Sequence, residues 1–459
     1  MSATTEEARA ERDGSARSPG DRPLKRGEKV DLALLALPTF ALALSITIVS
    51  TTLGEVTRKY THQTVVIGTI IGSEGVMALW IPLIAGSWSD VLRSRIGGRL
   101  PFVLAGAIPG AVALAFIGFV HSLGLVALVA TVFFAFYFVA YEPYRAMYPD
   151  LMEEGAAGRA QSTQALARGV GTGCALLGGG LLLSVARPLP FLVAAVILVA
   201  AIAAFVVLIV RRGEAGGQRR DEQSRKQKAA DGQPGQGKDE DKQPESPLQV
   251  ARKLPGLIVT HPALRAYFFA NALWEAALAG LKAFIILYLT IGLGYPLATS
   301  SLIIGGVALV ILIGAALAGK AGDRWGQIRV VRIALIAYGA GYLVPIFTTS
   351  RPIIGASIPF IALGGGAVMT LAYAILMPLM PKDEHGALTG FYSLSRGVGI
   401  VAGPILAGVV IYLTRDTPFK ATHGFQAMWI VCSAAAFTSL YFVRRLLAAT
   451  DDREKLERG

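Results

Sequence analysis

Three ionisable residues stand where an apolar chain has least use for them. Glu74 lies inside TVVIGTIIGSEGVMALWIPLIAG, and Glu275 and Lys282 share NALWEAALAGLKAFIILYL. A charge at the centre of a bilayer costs about 2.5–3.5 kcal/mol on insertion scales, so its presence there asks for a partner or a task. Seven residues separate Glu275 from Lys282, nearly two helical turns, which puts both on one face about 10 Å apart. At that spacing a solute, a water or a swinging side chain would bridge them, and direct contact is not expected. The chemistry open to this group is specific. Glu275 can take up a proton and release it when it faces Lys282; Lys282 or Asn271 can donate hydrogen bonds to hydroxyls; Trp274 can offer a flat face to a ring. The competing reading is structural: a polar cluster joining neighbouring helices, or Lys282 reaching outward along its own stem. Glu74 is balanced between these two readings.

Two further cations sit in apolar surroundings, Arg168 and Arg396, each at the head of an Arg-Gly-Val-Gly run. They are expected near the inner ends of their helices as gate residues, facing acids such as Glu142, Asp150, Asp383 or Glu384. A third group lies in short connections. Gly86-x-x-x-Asp90 is followed by Arg93, Arg95 and Arg99, and Gly319-x-x-x-Asp323-Arg324 is followed by Arg329. Glycines there permit a tight turn and close helix approach. The acids and arginines could form an ionic latch across one face.

These residues must be positioned by something lipid-soluble. Of the 459 residues 53% are hydrophobic and 16% charged, with a mean hydropathy of +0.54. The charges fall between apolar runs of about 20 residues, the length of a bilayer-crossing helix. Twelve spans are predicted, near 32–53, 65–86, 101–120, 123–144, 163–185, 189–210, 263–292, 299–319, 329–348, 353–377, 386–413 and 426–446. The first follows a polar stretch without a small-residue cleavage site and is not read as a signal peptide. The Lys/Arg bias puts both termini in the cytoplasm, with Arg58 and Lys59 as a mild exception. The domains expected are a tail over 1–28, a six-helix bundle over 29–210, a charged linker over 211–260, a second bundle over 261–446 and a tail over 447–459. The piece ARKLPGLIVTHPALR is expected to lie along the membrane surface.

The halves echo each other. The Gly-x-x-x-Asp phrases recur at an offset of 233 residues, and GRAQSTQALARGVGTGCALLGGG lies over GALTGFYSLSRGVGIVAGPILAG at an offset of 228. That register pairs Arg168 with Arg396. Two parallel repeats put a binding site between them, near the membrane midplane. The fold class is therefore an all-α membrane protein, twelve transmembrane helices as two six-helix pseudo-symmetric bundles.

The repeated loop phrase resembles the cytoplasmic loop motif of the major facilitator superfamily. Within it, Ser89-Asp90, Ser94-Arg95-x-Gly97-x-Arg99-x-Pro101-Phe102 and Pro143-x-Arg145-Ala146…Asp150-Leu151 are similar to the sucrose carriers and the glycoside–pentoside–hexuronide carriers. The resemblance implies sugar transport by alternating access, a cavity-lining seventh span, and a role in sugar transport for Arg145. It departs from the pattern at Val91, Gly98 and Leu100, and Phe134 stands where the sucrose carriers have a proton-coupling acid. Gly399-x-x-x-Gly403-Pro404-x-x-Ala407-Gly408 resembles the antiporter motif of drug-efflux carriers, in span 11 rather than span 5.

Other classes are excluded. The net charge of +12 is explained by basic loops beside anionic lipid, not by nucleic acid. Cys174 and Cys432 are isolated in apolar spans and form neither a disulfide framework nor a metal site. GVGTGCALLGGG lacks the strand and order of a nucleotide loop. No catalytic constellation appears, so no enzyme and no cofactor are expected. The expected partners are a small-molecule solute, a proton and the lipid bilayer, with the chain as a monomer. A proton-driven exporter on the same fold and a non-transporting membrane sensor are the competing readings.

Overall fold

The structure, a computed structural model, describes residues 26–91, 99–151, 157–211, 256–379 and 388–458. Twelve long helices account for most of them. The first six are α1 (Arg26–Arg58), α2 (Thr64–Val91), α3 (Leu100–Ile117), α4 (Leu123–Leu151), α5 (Ala157–Val185) and α6 (Leu189–Arg211). The second six are α7 (Pro262–Leu287), α8 (Leu297–Trp325), α9 (Gln327–Phe347), α10 (Arg351–Leu376), α11 (Leu388–Thr414) and α12 (Met428–Arg458). All twelve are long and apolar enough to cross a membrane. The shortest, α3, has 18 residues, about 27 Å of helix and close to the hydrocarbon thickness.

Local sequence explains several starts. Helices α3, α7 and α10 open with a proline in the first turn, where its missing N–H costs nothing. Between α8 and α9, Gly326 adopts φ +87°, a backbone region closed to residues with a Cβ, so the chain turns sharply inside the repeated loop phrase. Helix α7 runs on as a π-helical stretch, Tyr288–Gly292. Of the piece expected along the membrane surface, residues 256–260 form a short helical segment just before α7, and 251–255 lie outside the described residues. Residues 212–255, which hold most of the expected linker, lie outside the described residues, as does most of the 1–28 tail. Helix α12 continues to Arg458, through the segment expected to be a tail.

Packing repeats between the halves. In the first, α1 packs on α5 and α6, α2 on α4, and α3 on α4 and α6; in the second, α7 packs on α11 and α12, α8 on α10, and α9 on α10 and α12. Every pair in one list maps onto a pair in the other when six is added to each helix. The halves meet along α2–α11 and α5–α8, themselves equivalent under that rule, and less extensively along α1–α7.

Small residues make these seams. A methyl built on Gly75 would lie 2.5 Å from the Val401 nitrogen and 2.8 Å from the Gly397 oxygen, so α2 and α11 touch backbone to backbone. Without water to expel, such close approach is what holds helices together in lipid.

The chain crosses back and forth, so loops collect on two faces. The linker face carries the ends of α2, α4, α6, α8, α10 and α12. On the opposite face each half is strapped internally. Arg187 donates to the Tyr60 hydroxyl and the Val120 carbonyl, tying three loops of the first half. In the second, Arg351 donates to the Leu293 carbonyl at 2.8 Å, and Gln426 Nε2 donates to the carbonyls of Pro345 and Ile346 at 2.8 and 2.9 Å. Between the halves on this face, Thr64 Oγ1 donates to the Gly408 carbonyl at 2.7 Å.

Candidate functional site

At mid-depth five polar side chains converge from both halves on one small cavity. Ser50 on α1 and Glu74 on α2 come from the first half; Glu275 and Lys282 on α7 and Arg396 on α11 come from the second. The cavity measures about 20 Å³, room for about one water. Ile71, Leu278, Ala279, Ile400 and Pro404 complete its wall.

Helix packing brings these charges together. Gly399 and Gly403 face α7; a methyl on Gly399 would meet Glu275 Cβ at 2.7 Å. This close crossing sets Arg396 Nε 3.6 Å from Glu275 Oε1. The same α11 turns its Gly397, Pro404 and Gly408 side toward α2, beside Glu74. The run Gly399-x-x-x-Gly403-Pro404 therefore serves two seams at once, to α7 and to α2.

Glu74 Oε2 lies 2.5 Å from Ser50 Oγ, and Ser50 Oγ lies 2.8 Å from the Ile46 carbonyl. Both contacts draw on the single hydroxyl proton of Ser50. A proton on Glu74 satisfies both: Glu74 then donates to Ser50, and Ser50 donates to Ile46. Lys282 lines the same cavity; among the described residues it forms no ion pair within 4.0 Å. Glu275 and Lys282 both line this cavity and, among the described residues, form no ion pair with each other.

Arg396 was expected near the inner end of α11 as a gate. Its guanidinium is instead in the central cluster. The reason is length: α11 begins at Leu388 and runs to Thr414, so residue 396 is already about 12 Å along it. Asn271 and Trp274 are fully engaged elsewhere. Trp274 Nε1 donates to Asn271 Oδ1 at 2.6 Å, and Asn271 Nδ2 donates to Ser395 Oγ at 2.7 Å, so this pair fastens α7 to α11 one turn from the cavity. Trp274 is buried edge-on against Tyr267, with its face unavailable to the cavity in this conformation.

Toward the linker face lies a belt that residue patterns had not singled out. Tyr137 and Tyr141 stack on each other along α4, with centroids 5.4 Å apart. Tyr373 of α10 meets Tyr392 of α11 edge-on at 5.3 Å. The Arg145 guanidinium lies 5.4 Å over the Tyr373 ring, crossing from the first half to the second, and that of Arg168 lies 5.8 Å over Tyr141. The signal available was the i, i+4 spacing of Tyr137 and Tyr141 immediately before Arg145.

The latch residues are placed as follows. Gly86 and Asp90 are in the last turns of α2 and Asp150 is in the last turn of α4; the side chains of Asp90 and Asp150, and Arg95 altogether, lie outside the described residues. Arg99 precedes α3. In the second copy Gly319 is partly buried, while Asp323, Arg324 and Arg329 are exposed; among the described residues none of these three forms an ion pair. Arg324 leans on the Trp325 ring, 6.0 Å from its centroid. Asp383 and Glu384 lie outside the described residues.

A second, larger recess of about 390 Å³ opens on the face opposite the linker, between the halves. Arg58, His62, Arg415, His423 and Asp416 line it together with Ile67, Ile291, Ile411, Tyr412 and Phe425. Among the described residues there is no cluster of metal-ligating side chains.

The family model of the Major Facilitator Superfamily matches residues 35–307 and 268–459, nearly the whole chain. The chain belongs to the Major Facilitator Superfamily. Members of this superfamily are membrane transporters of small molecules and not enzymes, and the twelve apolar helices of this chain are those of a multi-pass membrane protein. Solved structures agree on the fold. A bacterial homologue of the human lysosomal transporter Spinster, inward-facing and occupied, aligns with a TM-score of 0.69 at 13% identity, covering 94% of this chain and 98% of that one. The nucleoside transporter NupG gives 0.65 at 14% identity over 91% and 98%. A D-xylose–proton symporter gives 0.65 at 12% identity over 89% and 96%.

Curated superfamily relatives match in shorter segments. The probable metabolite transport protein CsbC of Bacillus subtilis is 29% identical over 161 residues, 35% of this chain and 32% of that protein. A multi-drug resistance efflux pump PmrA homologue of Lactococcus lactis is 24% identical over 139 residues, 30% and 34%. The uncharacterised transporter Rv1877 of Mycobacterium tuberculosis is 28% identical over 111 residues, 24% and 15%. The chain thus spans about a third or less of the length of these relatives. The sugar-carrier subtype suggested by the loop residues is not among the superfamily features these comparisons establish.

Proposed function

We propose that the chain is a proton-coupled carrier of a small polyhydroxylated solute of the sugar or glycoside type, working by alternating access. One observation carries this reading: Ser50 and Glu74 from one half and Glu275, Lys282 and Arg396 from the other share a single cavity. In a protein whose halves part and rejoin, a polar cluster divided between them is remade in each cycle. A proton is the natural coupling ion because Glu74 and Glu275 both sit where protonation changes their partners: Glu275 would release Arg396, and Glu74 would complete the Ser50–Ile46 chain.

The cavity of about 20 Å³ is too small for a sugar ring. The conformation is closed at its centre, and solute enters only when the α2–α11 and α5–α8 seams open. Tyr141, Tyr373 and Tyr392 then offer aromatic faces, the role first assigned to Trp274, and Arg145 and Arg168 stand on the route. Asn271 and Trp274 act as positioning residues for α7. The linker face is proposed to be cytoplasmic, with both termini, and the membrane to be the cell membrane. Gly86, Asp90, Arg95, Arg99 and their counterparts Gly319, Asp323, Arg324 and Arg329 are proposed to latch that face in the alternate conformation, with Asp150 and Arg168 beside them. The chain is proposed to act as a monomer.

In proteoliposomes with an inward proton gradient, labelled sugar should accumulate. Glu275→Gln should abolish that accumulation while solute exchange continues. Normal accumulation by the variant would remove Glu275 from the coupling step. The export reading has its own support, in the efflux-like Gly399–Gly403–Pro404 run that packs directly behind Glu275 and in the efflux relative named above. It predicts drug flux driven by the opposite proton movement in the same vesicles.

A further inference from the structure

Resting on that reading of the central cluster, we infer that the solute is an acid: the site is built for a polyhydroxylated carboxylate taken up with a proton, not for a neutral sugar.

The argument begins with donors left unused. Arg396 meets Glu275 through Nε and Oε1 at 3.6 Å, longer than a hydrogen bond. Its two Nη groups have no hydrogen-bond partner among the described residues, and its side chain is 33% exposed on the cavity side. Lys282 lines the same cavity with no carboxylate within 4.0 Å and no hydrogen-bond partner among the described residues. Two cationic groups therefore face one space between the halves with most of their donors unspent. A guanidinium fork fits a carboxylate through two parallel bonds, and an ammonium adds a point charge beside it. Hydroxyl groups could accept from these donors too, but a carboxylate offers the fork two charged acceptors and so forms the stronger, bidentate pair.

Charge balance then brings the proton. Glu74, Glu275, Lys282 and Arg396 sum to zero when all are ionised. Adding a monocarboxylate makes the cluster negative unless a carboxyl group takes up one proton. Protonating Glu275 does this and frees Arg396 for the incoming anion. The groups facing Glu275 are Arg396 and Tyr392 from α11, Glu74 from α2, Tyr338 from α9, and Lys282 and Tyr267 on α7 itself; among them only Glu74, like Glu275 itself, can accept a proton and end neutral. One proton and one carboxylate cross together with no net charge.

The opposite face points the same way. Its recess is lined by Arg58, Arg415, His62 and His423 against Asp416, with Glu55 3.5 Å from Arg58. Across the loops of that face, Arg58, Lys59, Arg187, Arg351, Arg415 and Lys420 stand against Glu55 and Asp416. An excess of positive charge around a cleft raises the local concentration of anions.

The test uses the intact protein in phosphatidylethanolamine–phosphatidylglycerol vesicles with an inward proton gradient. The probes are D-glucuronate and D-gluconate, each beside its neutral amide, with D-glucose as a neutral sugar. At least one acid should accumulate in excess of its amide by a factor of about 10 or more, the equivalent of one charge-assisted hydrogen bond, and its uptake should carry no current. Arg396→Lys, which keeps the charge and loses the fork, should raise the half-saturating acid concentration about tenfold or more. Should that variant misfold, the comparison of acid with amide on the unaltered chain decides alone. Equal accumulation of amides or glucose overturns this inference and leaves the sugar-carrier reading standing. Failure of all five probes to accumulate overturns both.

Discussion

Gly75 is the most exacting point of the seam between the halves, and replacing it by alanine tests how the two are held. The added Cβ would lie 2.5 Å from the Val401 nitrogen and 2.8 Å from the Gly397 oxygen and the Ile400 carbonyl carbon. Carbon contacts prefer roughly 3.5–4.0 Å, so α2 and α11 must separate by about 1 Å. All three obstructing atoms are backbone, and no side chain can rotate away. Overpacking of this kind costs ~1–3 kcal/mol, which corresponds to a ~5–150-fold change in the ratio of closed to open conformers. Spin labels at Gln63 and Lys420, exposed on the two halves of the face opposite the linker, would read that ratio as a distance distribution. The variant should lose the short-distance population. Gly306→Ala is the control: nothing lies within 4 Å of its built Cβ, so it should be neutral or gain up to ~1 kcal/mol of helix stability. Identical distance distributions and melting curves for Gly75→Ala and the unaltered chain would refute the view that backbone contact at this seam sets the closed state.

Other outcomes follow from hydrogen bonds already described. Arg187→Ala should destabilise the first half by ~1.5–3 kcal/mol, because a charged donor leaves the Tyr60 hydroxyl and the Val120 carbonyl; a thermal melt in detergent measures it, and an unchanged midpoint would show the strap to be slack. Thr64→Val removes the 2.7 Å bond to the Gly408 carbonyl at a cost of ~0.5–1.5 kcal/mol. It should raise labelling of a cysteine placed at Gln63 during turnover, and equal labelling would count against the bond as a fastening between halves.

Much of the architecture is legible in the residues because lipid imposes one rule on every span. Apolar runs long enough to cross had to be helices, and the repeat of Arg-Gly-Val-Gly and Gly-x-x-x-Asp in both halves exposed the pseudo-symmetry. Glu74, Glu275 and Lys282 stood out for the same reason, as charges in apolar runs. What remained hidden was depth and partnership. Arg396 was expected near a helix end, yet eight residues from Leu388 already carry it about 12 Å along α11. The equivalence with Arg168 carried no information about which cation would meet a carboxylate. Trp274 and Asn271 share a face of α7 with each other, but the hydrogen bond between them and the one to Ser395 depend on how α11 crosses, which one helix's periodicity does not encode. Ser50 looked like one of many hydroxyls on α1 until α2 set Glu74 beside it.

Among the described residues, the straps around Arg187 and Arg351 bind loops to loops of their own half. Each cap is thus a passenger on one six-helix body. A binding protein that grips a single cap could ride through every turnover without slowing it, whereas one that spans both caps would act as a clamp. Epitopes on this transporter therefore divide into silent reporters and inhibitors according to whether they straddle the midline.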